Sequence, residues 1–134
     1  MAAHHDAIIH IMVIMSAADR DMKDVELQRM TTIVSHWPVF QDYDVEALPQ
    51  VAQTSAQLLQ DDNGLDLLMD TIRVALPSTL VETAYAAACD IAAADTKVSD
   101  EEAQLLELIR HGLHIDRLSA AAIERGARAR HARV

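Results

Sequence analysis

The stretch Ala84-Tyr85-Ala86-Ala87-Ala88-Cys89-Asp90-Ile91-Ala92-Ala93-Ala94-Asp95-Thr96-Lys97-Val98-Ser99-Asp100-Glu101-Glu102 reads as the end of one helix, an acidic turn and the start of another. Alanine is the strongest helix former. Ser99 with Glu102 three residues later is a capping box, the signature of a helix N-terminus. The junction occurs twice. A shift of 76 positions lays Ala17-Ala18-Asp19 on Ala93-Ala94-Asp95, Asp24 on Asp100, Glu26 on Glu102 and Ile33 on Ile109. Met22 falls on Val98, Met30 on Leu106 and Trp37 on Leu113. The pattern describes a duplicated helix-loop-helix hairpin, with copies over about 7–37 and 83–113. Neither copy can bury its apolar face alone.

Working outward, apolar residues recur at helical spacing and no strand-like alternation occurs. The spacing predicts seven helices in a single all-α domain over residues 1–134. The first runs from Asp6 to Ala18, with Ile8, Ile11, Met12 and Met15 on one face. The second runs from Met22 to Ser35 through Val25, Met30, Ile33 and Val34, and Trp37-Pro38 stops it, since the residue before proline avoids helical geometry. Asp44 caps a third to Leu59, or that helix starts nearer Pro49. Asn63 caps a fourth to Leu76, with Leu65, Leu68, Met69 and Ile72 as its stripe. Thr79 and Glu82 form a box pattern opening the fifth, which runs to Ala94 and reads as central because its side chains are small. The sixth runs from Ser99 through Leu105, Leu108, Ile109 and Leu113. Asp116 caps a basic C-terminal helix over 117–134, with Leu118, Ala121, Ala122 and Ile123 facing inward.

Composition supports this reading and narrows the function. The 134 residues include 23 alanines, four aromatics, three glycines and three prolines, which excludes collagenous, disulfide-rich and disordered classes. The net charge of −10 is unevenly spread. Residues 1–116 hold 20 acids and 6 bases, a balance of −14, whereas 117–134 hold five arginines against Glu124, a balance of +4. Duplex-binding domains carry the opposite sign, so nucleic acid is not expected as a partner. One cysteine allows no internal disulfide, and Cys89 reads as a small buried hydrophobe. The N-terminal stretch lacks the basic region of a secretory signal, and the apolar run from Ile8 to Ala18 is too short for a membrane span. A cytoplasmic location is the expectation. His4 and His5 read as a flexible end without function, and the arginine tail as a solvated helix end or a basic arm for an acidic partner.

The repeated junction concentrates carboxylates: Asp19, Asp21, Asp24 and Glu26 in the first copy, and Asp95, Asp100, Glu101 and Glu102 in the second. Glu102 is accounted for by its capping box. Asp19 and Asp95 sit near helix C-termini, where a negative charge faces the negative end of the dipole at a cost of about 0.3–1 kcal/mol. Two readings of them stay open. They accept backbone N–H groups inside their own turns, or they converge with the glutamates on a hard divalent cation, which takes oxygen ligands. The loops are not EF-hands, because they lack the central glycine and the acid spacing. The candidate metal residues are Asp19, Asp21, Glu26, Asp95 and Glu102, and the candidate ions Ca2+, Mg2+ and Mn2+.

The stretch Ala93-Ala94-Asp95-Thr96-Lys97-Val98-Ser99-Asp100-Glu101-Glu102, followed by a leucine-rich helix ending Gly112-Leu113-His114-Ile115-Asp116, resembles the TerB-like (tellurite-resistance B) family, whose motif is similar to Ala-Asp-Gly-x-Val-Ser-x-x-Glu. The resemblance covers nearly the whole chain. It implies a duplicated helical bundle with one acidic motif per copy, a cytoplasmic bacterial protein linked to tellurite and general stress response, and an acidic face proposed to bind metal. By position, Asp19 and Glu26 fall on the first motif and Asp95 and Glu102 on the second. The chain departs from the motif at Arg20 and Thr96, where the family favours glycine, and at Lys23, where it favours serine or threonine. Copy one therefore lacks its cap hydroxyl and Arg20 and Lys23 partly neutralise its acids, so copy two is the stronger candidate.

Other chemistry is sparse. His10 reads as a hydrogen-bonded boundary histidine, and His36, His111 and His114 as helix-end cations. Asp61, Asp62, Asp66 and Asp70 read as caps and a solvated face. Asp90, if buried, needs a partner and could join Asp95. No phosphate loop, serine elbow, Cys–His pair or zinc helix is present. The expectation is a non-enzymatic acidic domain that binds a divalent cation, a partner, or one through the other. The alternatives are a plain protein–protein interaction module whose acids only cap helices, and a carboxylate-metal hydrolase. Expected partners are other proteins, including a membrane-associated stress complex, or a second copy in a homodimer.

Overall fold

The computed structural model of the chain describes residues 3–17, 24–93 and 98–134. Among them are seven α-helices and no strand: α1 (Ala3–Ser16), α2 (Asp24–His36), α3 (Leu48–Leu59), α4 (Gly64–Ala75), α5 (Val81–Ala93), α6 (Asp100–Gly112) and α7 (Arg117–Arg130). The all-α reading holds. α2 and α6 are both 13 residues long, and their bounds differ by the 76 positions of the sequence repeat.

α1 is buried on every side from Ile11 to Met15, while Asp6 and His10 nearer its start are half-buried. Ala7, Ile8, Ile9 and each residue from Ile11 to Met15 are at most 2% exposed. A helix apolar all round belongs in the interior rather than on a face. α1 packs against α3, α4 and α5, and α5 packs in turn against α7. The centre predicted for α5 is thus shared by two helices. On α5 the buried residues Ala84, Ala87, Ala88 and Ala92 hold their neighbours close.

Helix starts depart from the sequence reading where 3-10 turns intervene. Asp44 caps a short turn, Val45–Ala47, by accepting from the Glu46 N–H at 3.1 Å, and α3 begins at Leu48 with Pro49 in its first turn. Proline is tolerated there because the first N–H groups have no intrahelical acceptor. Ser78–Leu80 likewise form a 3-10 turn, so Thr79 lies inside it and α5 begins at Val81. Asn63 precedes α4 but makes no side-chain cap bond. The turn before α4 is set by packing instead: a Cβ at Gly64 would stand 1.9 Å from the carbonyl oxygen of Leu58, so only glycine lets the two backbones meet.

α6 ends as a Schellman motif. His114 takes the left-handed conformation at φ 57°, and the Ile115 N–H reaches back to the Arg110 carbonyl at 3.1 Å while its side chain is buried. Asp116 caps α7 by accepting from the Ser119 N–H at 3.0 Å, as expected. The inward face of α7 differs from the prediction. Ala120 and Ala127 are buried and Ile123 is half-buried, whereas Leu118 is 81% exposed and Ala121 and Ala122 face solvent. One row of the helix, Ala120, Ile123, Glu124 and Ala127, sits on α5, and Leu118 falls outside it. Leu108 on α6 is also exposed, against expectation. Nor is His5 a loose end. It is buried, its ring stacks on Phe40 at 5.3 Å and meets the edge of Tyr43 at 5.2 Å, and Nε2 lies 2.8 Å from the Val39 carbonyl.

Candidate functional site

The sequence placed its site at the turns before α2 and α6. Of the five candidate residues, Asp19, Asp21 and Asp95 lie outside the described residues. Glu26 and Glu102 lie within them and occupy equivalent places. Each sits in the first turn of its helix, and each is 7% exposed.

Glu102 is held by the capping box read from the sequence. Its Oε1 accepts from the Ser99 N–H at 3.0 Å, and the Ser99 hydroxyl accepts from the Glu102 N–H at 3.1 Å. Both bonds satisfy N–H groups that the helix leaves without acceptors, and the carboxylate lies at the positive end of the dipole. Asp100 and Glu101 beside it, and Asp24 in the first turn of α2, are exposed, so each corner combines buried and solvated acid. Among the described residues, no three His, Cys, Asp or Glu side chains are grouped as a metal centre needs.

The remaining candidates have partners of other kinds. Asp90 is buried on α5 and paired with Arg130 of α7 at 2.5 Å, with His131 Nε2 at 3.7 Å. The partner that burial demands comes from the arginine tail, which the sequence reading had treated as solvated or as a basic arm. The Glu124 carboxylate on α7 accepts from the Tyr85 hydroxyl of α5 at 2.6 Å. Arg110 is buried and grips Glu107 with two bonds of 3.1 Å while donating to the Ile115 carbonyl at 3.2 Å. That guanidinium holds the Glu107 carboxyl below its ordinary value. His111 lies 3.4 Å from the same carboxylate.

Besides a polar hollow of about 340 Å³ beside Glu107, Arg110, Arg117 and Glu124, two mainly apolar hollows offer concave surface. One, of about 300 Å³, lies between α5, α6 and α7 and is lined by Cys89, Ala93, Val98, Leu106, Glu124 and Arg128. Burial pushes the Cys89 thiol up to about 12, so it is no nucleophile at neutral pH. The other, of about 320 Å³, lies between α1 and α3 and includes Asp6, His10, Gln50 and Thr54. Here His10 Nδ1 lies 2.5 Å from the Ser55 hydroxyl, as expected of a boundary histidine. Ser, His and Asp side chains meet at this place, but Ser55 is fully buried and its hydroxyl donates to the Val51 carbonyl at 3.0 Å, so no substrate carbonyl can reach it. The sequence reading missed this cluster. The signal available was the four-residue spacing of Asp6 and His10, which puts both on one helix face.

A family model described as "Tellurite resistance protein TerB" matches residues 5–125. No curated protein and no solved structure matches the chain. No described helix is long and apolar enough to cross a membrane.

Proposed function

The chain belongs to the tellurite resistance protein TerB family, and from that premise we propose that it is a non-catalytic binding module whose two acidic corners take up a divalent cation. The observation that carries the reading is the equivalence of Glu26 and Glu102. Two glutamates 76 residues apart, in the first turns of helices of equal length, are buried to the same degree beside solvated acids. Asp19 and Asp95, each seven residues before its glutamate in sequence, are the carboxylates proposed as the further oxygen ligands that Ca2+, Mg2+ or Mn2+ requires. The balance of −14 over residues 1–116 attracts cations to both corners. The role is in the cytoplasm, in tellurite or stress response, with the loaded corner presented to another protein.

A second reading is supported by the capping box itself: the acids terminate helices and the domain is a plain interaction module. Calorimetric titration with Ca2+, Mg2+ and Mn2+ separates the two. The cation reading expects saturable heat that is reduced in Glu102→Gln and in Asp95→Asn. Glutamine still accepts the Ser99 N–H, so the fold survives while the ligand charge is gone. Absence of saturable heat and of amide shifts at millimolar metal overturns the cation reading and leaves the interaction module.

A further inference from the structure

α4 and α7 each present an apolar ridge to solvent, and the two ridges carry opposite charge. On α4, Leu67 is 60% exposed and Val74 is 89% exposed. They stand seven residues apart on one helix face, with Asp70 between them. Around them Asp61, Asp62 and Asp66 are exposed, and Arg73, paired with Asp70, is the single base between Leu58 and Leu76. On α7, Leu118 is exposed along with Ala121, Ala122 and Ala129, flanked by the exposed Arg117, Arg125 and Arg128.

A lone exposed leucine requires no explanation. Two complementary ridges on one chain do. Both are open in the same molecule, so they do not cover one another within it. α7 packs on α5, and α4 packs on α1, α3 and α6, which fixes their inner faces and leaves these ridges outermost. We propose that they cover one another between copies: the α4 ridge of one copy docks on the outer face of α7 of the next. The alanines of α7 leave room for Leu67 and Val74, while Asp66 and Asp70 come beside Arg125 and Arg128. The helices have 12 and 14 residues, so about 18–21 Å of matched length is available. The opposed charges set register and speed encounter. The occupant is a second copy because the complementary surface is on this chain.

The two faces differ, so the contact is heterologous, and each copy keeps one face open for a further copy. Sedimentation velocity on the full chain tests this. At about 20 mM salt the average mass should rise with concentration, and at about 500 mM salt, where exposed charges are screened, it should return to the monomer. Leu67→Ser with Val74→Ser removes the apolar contact of one face, and Leu118→Glu with Arg125→Glu reverses the charge of the other, so the two disabled faces do not attract each other. Each double variant alone should lose self-association by about tenfold or more, as expected when apolar contact or charge pairing is lost. Mixed in equal amounts, they retain one intact face apiece and should form a 1:1 dimer that grows no further. All four positions are exposed, and circular dichroism melts check that the variants fold. A monomeric wild type at low salt, a double variant that still associates, or a mixture that stays monomeric overturns the proposal.

Discussion

The guanidinium of Arg130, near the end of α7, lies 2.5 Å from the carboxylate of Asp90 on α5. The two sides of this pair are unequally buried. The Asp90 side chain is 10% exposed and that of Arg130 is 53% exposed. Removing the arginine therefore strands a buried charge, whereas removing the aspartate frees an arginine that water can solvate. Arg130→Ala should destabilise the fold by about 1–3 kcal/mol, the cost of an unpaired buried group. The Asp90→Ala/Arg130→Ala double variant should be more stable than Arg130→Ala alone. Urea denaturation measures both, and a double variant at or below the single one would show that the pair does not act through the stranded carboxylate.

His114 holds a left-handed backbone at φ 57° to close α6. For a side chain with a Cβ this conformation costs about 1–2 kcal/mol, and glycine avoids that while losing about 0.5–1 kcal/mol to unfolded-chain entropy. His114→Gly should accordingly be neutral or stabilising by up to about 1 kcal/mol. His114→Val, with a branched Cβ at positive φ, should lower stability. Thermal melts of the two variants should move in opposite directions or leave glycine unchanged. A glycine variant that melts well below wild type refutes the strain argument.

The Ser99–Glu102 box makes a separable pair of changes. Ser99→Ala removes the acceptor for the Glu102 N–H and should cost about 1 kcal/mol. Glu102→Gln keeps an oxygen for the Ser99 N–H and should cost less. Chemical denaturation ranks them. Equal losses would mean that the charge of Glu102, rather than its bond to Ser99, carries the cap.

The same box shows what was legible in the sequence. Ser99 with Glu102, and Asp116 before α7, act through neighbours three residues away, so local spacing sufficed to place them. The helix-rich fold was legible for a similar reason, since alanine content and 3.6-residue periodicity are local properties. Pairings across the core were not. Nothing near Asp90 in sequence points to Arg130, 40 residues on, nor near Tyr85 to Glu124. His5 was misread because its partners, Phe40 and Tyr43, come from a distant turn. The α7 stripe was misread because its alanines fit either face, and contact with α5 selects Ala120 and Ala127. At the candidate site the equivalence of Glu26 and Glu102 followed from the repeat, while Asp19, Asp21 and Asp95 fall outside the described residues.

His10 makes stability depend on pH with a definite sign. Burial lowers its basicity below the ordinary 6.5, and nearby Asp6 offsets this only in part. In the unfolded chain the imidazole takes a proton near 6.5, whereas in the fold it stays neutral to lower pH. Between those two points the unfolded state binds more protons, so stability rises with pH. The contribution is complete above about 6.5 and is lost as pH falls through the folded value. Because the Ser55 hydroxyl donates to the Val51 carbonyl, His10 Nδ1–H donates to the Ser55 oxygen. Wild type should therefore lose melting temperature on acidification from neutrality more steeply than His10→Gln, whose amide cannot titrate. His4 is shifted in the same direction but is present in both proteins, so the difference between the two curves isolates His10. Parallel curves would place the pH dependence elsewhere in the fold.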